Sequence, residues 1–161
     1  VSRPVAAFRE PSALERLFNR AFGLVVAWGL APRDYWLVQV RGRKTGRVHA
    51  TPVILMEIGS TAFLVAPRGR TQWVRNAEAA TEVTLARGSR RRRYRVRSLS
   101  DAAKAPVLRT YLDRFKTFVQ RYFPVPAGAP LEAFAAIAGR YPVFELLPSD
   151  AVEGRRGERA R

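Results

Sequence analysis

Apolar positions along the chain follow two different periods. Leu14, Leu17, Phe18, Ala21, Phe22, Val25 and Trp28 recur at helical spacing, with Glu15, Arg16, Asn19 and Arg20 on the other side. That pattern predicts one amphipathic helix over 12–29, opened by a capping box of Ser12 and Glu15 and stopped near Gly29 and Pro32. From Tyr35 the period is two: Trp36, Val38 and Val40 share one face, and Tyr35, Leu37 and Gln39 the other. Further strands are predicted over 48–57, 61–66, 81–86, 91–98 and 141–147. Pro52 has no N–H for a ladder and predicts an edge or a bulge. Thr71 is placed to cap a short helix over 72–80. Leu99-Ser-Asp opens a second long helix with an apolar stripe of Leu108, Tyr111, Leu112, Phe115, Phe118, Val119 and Tyr122, ended by Pro124 and Pro126. A shorter helix over 130–138 is closed by Gly139. Short turns join consecutive strands and long βαβ crossovers are missing, so the expected class is α+β with an antiparallel sheet closing as a small barrel. Residues 1–148 read as a single domain and 149–161 as a loose basic tail.

Composition changes the picture mainly through charge. The 161 residues carry 29 Lys and Arg against 13 acids, a formal net charge of +16. Such a surplus points to a polyanionic partner: nucleic acid, an anionic membrane or a phosphorylated ligand. High-GC coding also enriches Arg and Ala and accounts for part of it. There is no cysteine and a single histidine, His49. Disulfides, zinc fingers, iron–sulfur clusters, cysteine nucleophiles and His-rich metal sites are thereby excluded. The longest apolar run, AFGLVVAWGLA from Ala21, is too short to span a bilayer. The expected location is cytoplasmic, with peripheral contact at the inner face of the membrane left open by the basic amphipathic helix. In RRRRYRVR, alternation turns Arg91, Arg93, Arg95 and Arg97 one way and Arg92, Tyr94 and Val96 the other. This reads as a strand with a solvated basic face, or one with some arginines turned to a ligand.

Candidate chemistry concentrates in two basic loops. GRKTG, Gly42 to Gly46, lacks the glycine before lysine that a P-loop needs, and a strand follows it instead of a helix. It is either a solvated turn or an anion site, with Thr45 and the backbone of Gly46 supplying donors. His49 and Thr51 share one face of the next strand. APRGRTQWVRN, Ala66 to Asn76, is a second basic glycine loop, and it leads into a helix N-terminus, where anions are favoured. Together the two loops suit a phosphate-bearing molecule. Trp73 offers either a flat ligand face or a core contact; Asn76 offers ligand hydrogen bonds or one at its own helix end.

With these motifs the chain, over 36–147, resembles the deazaflavin (F420)-dependent nitroreductase and quinone reductase family of actinobacteria. GRKTG with the following Thr51-Pro52 is similar to the family's G-R-K-[ST]-G…N-P segment. Ala66-Pro-Arg-Gly69 with Trp73-Val-Arg-Asn76 resembles its A-x-x-G…W-x-x-N segment, and Arg140-Tyr-Pro-Val-Phe is also familiar in this group. The resemblance implies a split β-barrel of the FMN-binding type with flanking helices, and coenzyme F420 as cofactor. It implies that Arg43, Lys44, Thr45 and Gly46 hold the phosphate and glutamate tail, with His49, Ala50, Thr51 and Pro52 lining the same site. Ala66, Pro67, Arg68 and Gly69, with Gln72, Trp73, Val74, Arg75 and Asn76, would flank the ring. The chain departs from the family at Val48-His49, where Pro-Arg is common, at Thr51, where Asn is common, and in a shorter 69–73 loop.

The activity implied is hydride transfer from reduced deazaflavin to a small-molecule electron acceptor: a quinone, an activated alkene or a nitro compound. Tyr122, Tyr141, Tyr111 or a water would supply the proton. No metal is expected, nucleic acid is disfavoured as a partner, and the chain is expected to be a monomer or homodimer. The rival readings are an FMN-binding split-barrel flavoprotein, an RNA or single-stranded DNA module stacking bases on Tyr94 and Trp73, and a non-catalytic cofactor carrier.

Overall fold

The computed structural model describes residues 20–25, 28–29 and 31–149. Six strands close into one antiparallel barrel. They are β1 (Tyr35–Arg41), β2 (Val48–Ile58), β3 (Thr61–Val65), β4 (Glu82–Arg87), β5 (Arg90–Ser98) and β6 (Val143–Pro148). Their order around the barrel is β1-β2-β3-β6-β5-β4, and β4 pairs back onto β1. Helix α1 (Gln72–Ala80) lies between β3 and β4 in sequence; α2 (Asp101–Val119) and α3 (Leu131–Ile137) lie between β5 and β6. The α+β barrel expected from the short turns is therefore present, with flanking helices.

Alternation decides what fills it. Trp36, Val38 and Val40 of β1 face the interior with Val53, Leu55, Leu64, Leu85, Tyr94, Phe144 and Leu146. Trp73, Val74 and Ala77 of α1 pack into the same cluster, so α1 acts as a plug. On β5, Tyr94 points inward and is buried, whereas Arg91, Arg93, Arg95 and Arg97 are exposed. Arg92 is also exposed, with its guanidinium 5.3 Å from the Trp36 ring centroid. The outer face of the barrel is apolar too at Ile54, Met56, Val65 and Val143, and there α2 and α3 cover it with Leu108, Tyr111, Leu112, Phe134 and Ile137. Burial on both faces explains why Val53 to Met56 reads as a continuous apolar run.

Several elements differ from the sequence expectation. Pro52 sits within β2, paired in register with Leu37 on one side, so the edge it predicts is a local one inside a strand of the closed barrel. Pairing of β2 with β3 begins only at Leu55, so the far side of the Pro52 stretch has no strand neighbour and the missing N–H is tolerated. Helix α2 is interrupted at Phe115 (φ −115°, ψ 18°) and passes into a 3-10 turn over Gln120–Tyr122. That kink leaves Phe118 49% exposed, off the buried stripe to which its spacing assigned it. The shorter helix begins at Leu131 and ends in a 3-10 turn over Ala138–Arg140. Residues 20–25 are helical, as the amphipathic pattern predicts. The capping box at Ser12 and most of the 12–29 helix lie outside the described residues, as does the tail beyond Ser149.

Candidate functional site

The unpaired stretch of β2 opens onto a cleft of about 780 Å³. One wall is Thr51 to Ile54 of β2. A second is the β3–α1 loop, Ala66 to Gly69 with Thr71, Gln72 and Trp73. The third is the kinked end of α2 with its 3-10 turn, Lys116 to Tyr122, together with Tyr111. Phe22, Pro32 and Tyr35 complete the lining. Among the described residues, its lining contains Arg68, Lys116 and Arg121 but no Asp or Glu. The described lining is thus largely apolar and cationic.

The β3–α1 loop is shaped by backbone bonds. The Gly69 N–H donates to Ala66 O at 3.1 Å, and the Thr71 N–H to Gly69 O at 2.9 Å. Gly69 has φ +81°, a left-handed conformation that disfavours side chains, which accounts for the glycine here. Thr71 takes the extended N-cap backbone, but its side chain does not cap the helix. Its Oγ1 is buried with no hydrogen-bond partner. The expectation that Thr71 caps α1 is corrected to that extent: the hydroxyl is left unpaired in the lining of the cleft, beside a helix start whose first N–H groups have no intrahelical acceptor.

The GRKTG turn sits elsewhere. Gly42 N–H donates to Arg47 O at 2.7 Å and Gly46 N–H to Gly42 O at 2.9 Å, with Gly46 at φ +71°. A Cβ on Gly42 would meet His49 Nε2 at 3.0 Å and Thr45 Oγ1 at 3.1 Å, so this glycine permits the close turn. Arg43 is tied to α1: its Nη1 donates to Gln72 Oε1 and to Asn76 Oδ1, both at 2.9 Å, and its N–H to Asn76 Oδ1 at 3.2 Å. Asn76 is only 5% exposed. It therefore anchors the turn to the helix. Arg43 also borders a shallow depression with Arg70, Arg75, Glu78 and Ala79. Arg70 is ion-paired with Glu78 at 2.6 Å. Lys44 is exposed and has no partner among the described residues, and the same holds for the Arg75 side chain.

Asn76→Ala removes the acceptor of two Arg43 bonds and is expected to destabilise the protein by about 1–3 kcal/mol. Thermal unfolding checks this; an unchanged Tm would show that the turn is held by other contacts.

The residues predicted from sequence thus separate into two groups. Thr51, Pro52, Ala66, Pro67, Arg68, Gly69, Gln72 and Trp73 share the cleft, with Tyr111 and Tyr122. Arg43, Lys44, Thr45, Gly46, His49 and Ala50 do not line it, nor do Val74, Arg75 and Asn76. Trp73 is 9% exposed and its ring lies 5.8 Å from that of Phe144, so most of it is core. Tyr141 stacks on Phe123 at 4.5 Å, and its hydroxyl donates to Tyr122 O at 2.7 Å, outside the cleft lining. Sequence reasoning missed Tyr35, Thr71, Phe22 and Arg121 as lining residues. Alternation did place Tyr35 on the outer face of β1, but nothing in the pattern said what would stand opposite.

The phenols of the cleft are electrostatically linked. Burial, reinforced by the Tyr35 and Tyr122 phenols, pushes the Tyr111 hydroxyl well above the ordinary phenol range. Tyr35 is pushed up by burial and then by Tyr122, with Arg121 opposing. Burial also raises Tyr141, against Arg140. As pH rises past 10.0, the ordinary phenol value, Tyr111 ionises in the unfolded chain and stays neutral in the folded one. The folded state is stabilised below that pH and loses this advantage as pH rises. Tyr111→Phe should therefore show a shallower alkaline fall in Tm than the natural chain; parallel curves would contradict it.

Comparison with known proteins gives the family. The sequence model of the F420H(2)-dependent quinone reductase family matches residues 13–122. No curated protein matches the sequence. Among solved structures, HutZ, the heme storage protein from Vibrio cholerae, is similar at 10% identity over 73% of this chain and 82% of its own, with a TM-score of 0.53. A protein of unknown function from Agrobacterium tumefaciens is similar at 16% identity over 87% of this chain and 59% of its own, with a TM-score of 0.53. An F420-H2 dependent reductase (FDR-A) is similar at 17% identity over 71% of this chain and 94% of its own, with a TM-score of 0.48. At such identities the likeness to HutZ and to the Agrobacterium protein speaks for the fold alone. The family match covers more than half of the chain, and so the chain belongs to the F420H(2)-dependent quinone reductase family: it is a split-barrel reductase that works with coenzyme F420.

Proposed function

We propose that the cleft receives the deazaflavin ring of F420 and a quinone acceptor, while the Gly42–Arg47 turn and the outer side of α1 take the cofactor's phosphate and glutamate tail. The observation that carries this is the buried, unpaired Thr71 Oγ1 at the start of α1, on a residue that lines the largely apolar, cationic cleft. A buried hydroxyl without a partner costs stability unless a ligand satisfies it. The residues present fit the group. Pro52, Val53, Ala66 and Pro67 offer flat apolar contact, and Thr71 and the free N–H groups of α1 offer donors to a polar ring edge.

When bound, F420 supplies the hydride. The chain supplies position, dryness and donors. Arg43 sets the turn against α1 through Gln72 and Asn76, which leaves Lys44 and Arg47 as the cations of the turn without a side-chain partner among the described residues, free to meet an anionic tail. Thr45, Gly46, His49 and Ala50 lie on the same exposed turn and strand start, and Val74 lies one position behind Trp73 within the plug. Phe22, Phe118 and Tyr35 narrow the mouth and exclude water. Among the earlier proton-donor candidates, Tyr111 and Tyr122 stand in the cleft; the Tyr141 hydroxyl is engaged by a backbone carbonyl. Activated alkenes and nitro compounds belong to the proposed acceptor range, because their polar oxygens need the same donors as a quinone. A cytoplasmic chain touching the membrane peripherally is part of this reading, supported by the exposed Leu24 and Trp28.

The test is anaerobic oxidation of F420H2 with menadione, a nitroaromatic and an activated alkene. Turnover with menadione is expected. Cofactor binding without oxidation by any of them would reduce the chain to a carrier.

A further inference from the structure

One arginine outside the cleft holds part of its wall. The chain entering β1 joins the barrel ladder only at Tyr35. Before that point its backbone carbonyls need donors from elsewhere. Arg87, the last residue of β4, supplies them. Its Nη1 donates to Pro32 O at 2.9 Å and to Tyr35 O at 2.8 Å, and its Nη2 to Ala31 O at 2.5 Å and to Gly29 O at 3.3 Å. Four carbonyls, 52 to 58 residues away in sequence, thus close on one half-buried side chain. Beside it the two backbones touch. A Cβ on Gly29 would lie 3.8 Å from Gly88 Cα, and both glycines have positive φ, +75° and +55°.

The clamped chain is cleft wall. Pro32 and Tyr35 line the cleft, whereas Arg87 does not. Ala31 is buried with Leu37 and Ala86, and Phe22 and Tyr35 pack against that cluster. The Tyr35 ring meets Phe22 edge-on at 5.0 Å and Phe118 edge-on at 5.7 Å. Arg87 therefore stands behind one side of the mouth and fixes it relative to the kinked end of α2. A guanidinium suits this task. Its planar fork donates from two nitrogens in set directions, whereas a lysine ammonium is a point charge on a flexible stem. Neighbouring arginines on β5 make no such connection: Arg93 and Arg97 pair with carboxylates, and Arg91 bonds to carbonyls within three residues of itself.

We propose that Arg87 is a positioning residue for the reductase reaction: by clamping the carbonyls of Gly29, Ala31, Pro32 and Tyr35, it sets the width of the cleft mouth and so the fit of the acceptor. The proposal rests on the cleft being the catalytic site. In that reading the deazaflavin lies against Pro52, Val53, Ala66 and Pro67, and the wall that Arg87 holds is left to the acceptor. Arg87 touches neither molecule and acts through Pro32 and Tyr35. With the clamp in place the wall is already ordered when the acceptor arrives. Without it, binding must also order the wall, so affinity falls by the fraction of chains in which the wall is in place. The hydride step of a bound acceptor is left nearly as it was.

The test uses Arg87→Lys, which keeps the charge and loses the fork, and Arg87→Ala, which loses both. Arg95→Ala controls for net charge, because Arg95 is exposed and has no side-chain partner among the described residues. Hydrogen exchange at the backbone amides of 31–35 should speed up in both Arg87 variants, while the amides of β2, β3 and β6 keep their protection. With F420H2 saturating, the menadione KM should rise by about 10-fold in both, within the range that a misplaced contact surface costs. The kcat and the F420 affinity should stay close to those of the natural chain, and the control should match it throughout. A menadione KM unchanged in Arg87→Lys, with F420 still bound, would overturn the proposal, since charge alone would then suffice. A parallel fall in kcat and F420 affinity would mark Arg87 as a general stabiliser and overturn its positioning role too. Failure of the natural chain to oxidise F420H2 with menadione would overturn the cleft reading and the role of Arg87 in the reaction with it.

Discussion

Phe134→Ala is expected to destabilise the protein by about 3–5 kcal/mol, the usual cost of removing a buried aromatic ring and leaving a cavity. Phe134 is 0% exposed. It belongs to the cluster in which α2 and α3 cover the outer face of the barrel, with Leu108, Tyr111, Leu112, Ile54 and Met56. Its effect should reach the cleft, because Tyr111 stands in both the cluster and the lining. Chemical denaturation should show a lower midpoint with a nearly unchanged slope. A variant as stable as the natural chain would mean that α3 does not carry the packing on this face.

Lys44→Ala is expected to weaken F420 binding by about 1–3 kcal/mol, since a charge-assisted hydrogen bond to an anionic tail is worth that much. Lys44 is exposed and lacks an internal partner, so folding should be unaffected. Arg43→Ala should behave differently. Its guanidinium bridges Gln72 and Asn76, so the variant should lower Tm as well as affinity. The contrast separates a ligand contact from a positioning residue. Equal F420 affinity in Lys44→Ala and the natural chain would remove Lys44 from the tail site.

The barrel was legible because its signals are local. Period-two alternation in β1 and β5 marked which residues turn inward, and glycine turns separated the strands. Two features resisted. The kink at Phe115 follows no proline or glycine in its own turn, so spacing alone kept Phe118 on a buried stripe that it leaves. Pro52 reads locally as an edge, and it is one only because β3 pairs from Leu55 onward, which the local sequence does not show. The candidate site shows the same division. GRKTG and APRG…WVRN were visible as motifs, but their separation into a cleft wall and an outer basic turn is tertiary. Tyr35 carried no signal beyond its face, because the elements that meet it there, Phe22 and Phe118, are distant in sequence. Arg43 looked like a free cation and proved to be engaged with Gln72 and Asn76, which only the packing of α1 against the turn could reveal.

The central claim is that this basic split barrel uses its cleft and cationic turn for F420. The most direct measurement is a fluorescence titration of the purified chain with F420, run beside FMN at low and high salt. The account predicts saturable F420 binding, weakened by Lys44→Ala and by salt as a tail contact requires, with FMN binding more weakly. FMN binding tightly while F420 does not bind would contradict it.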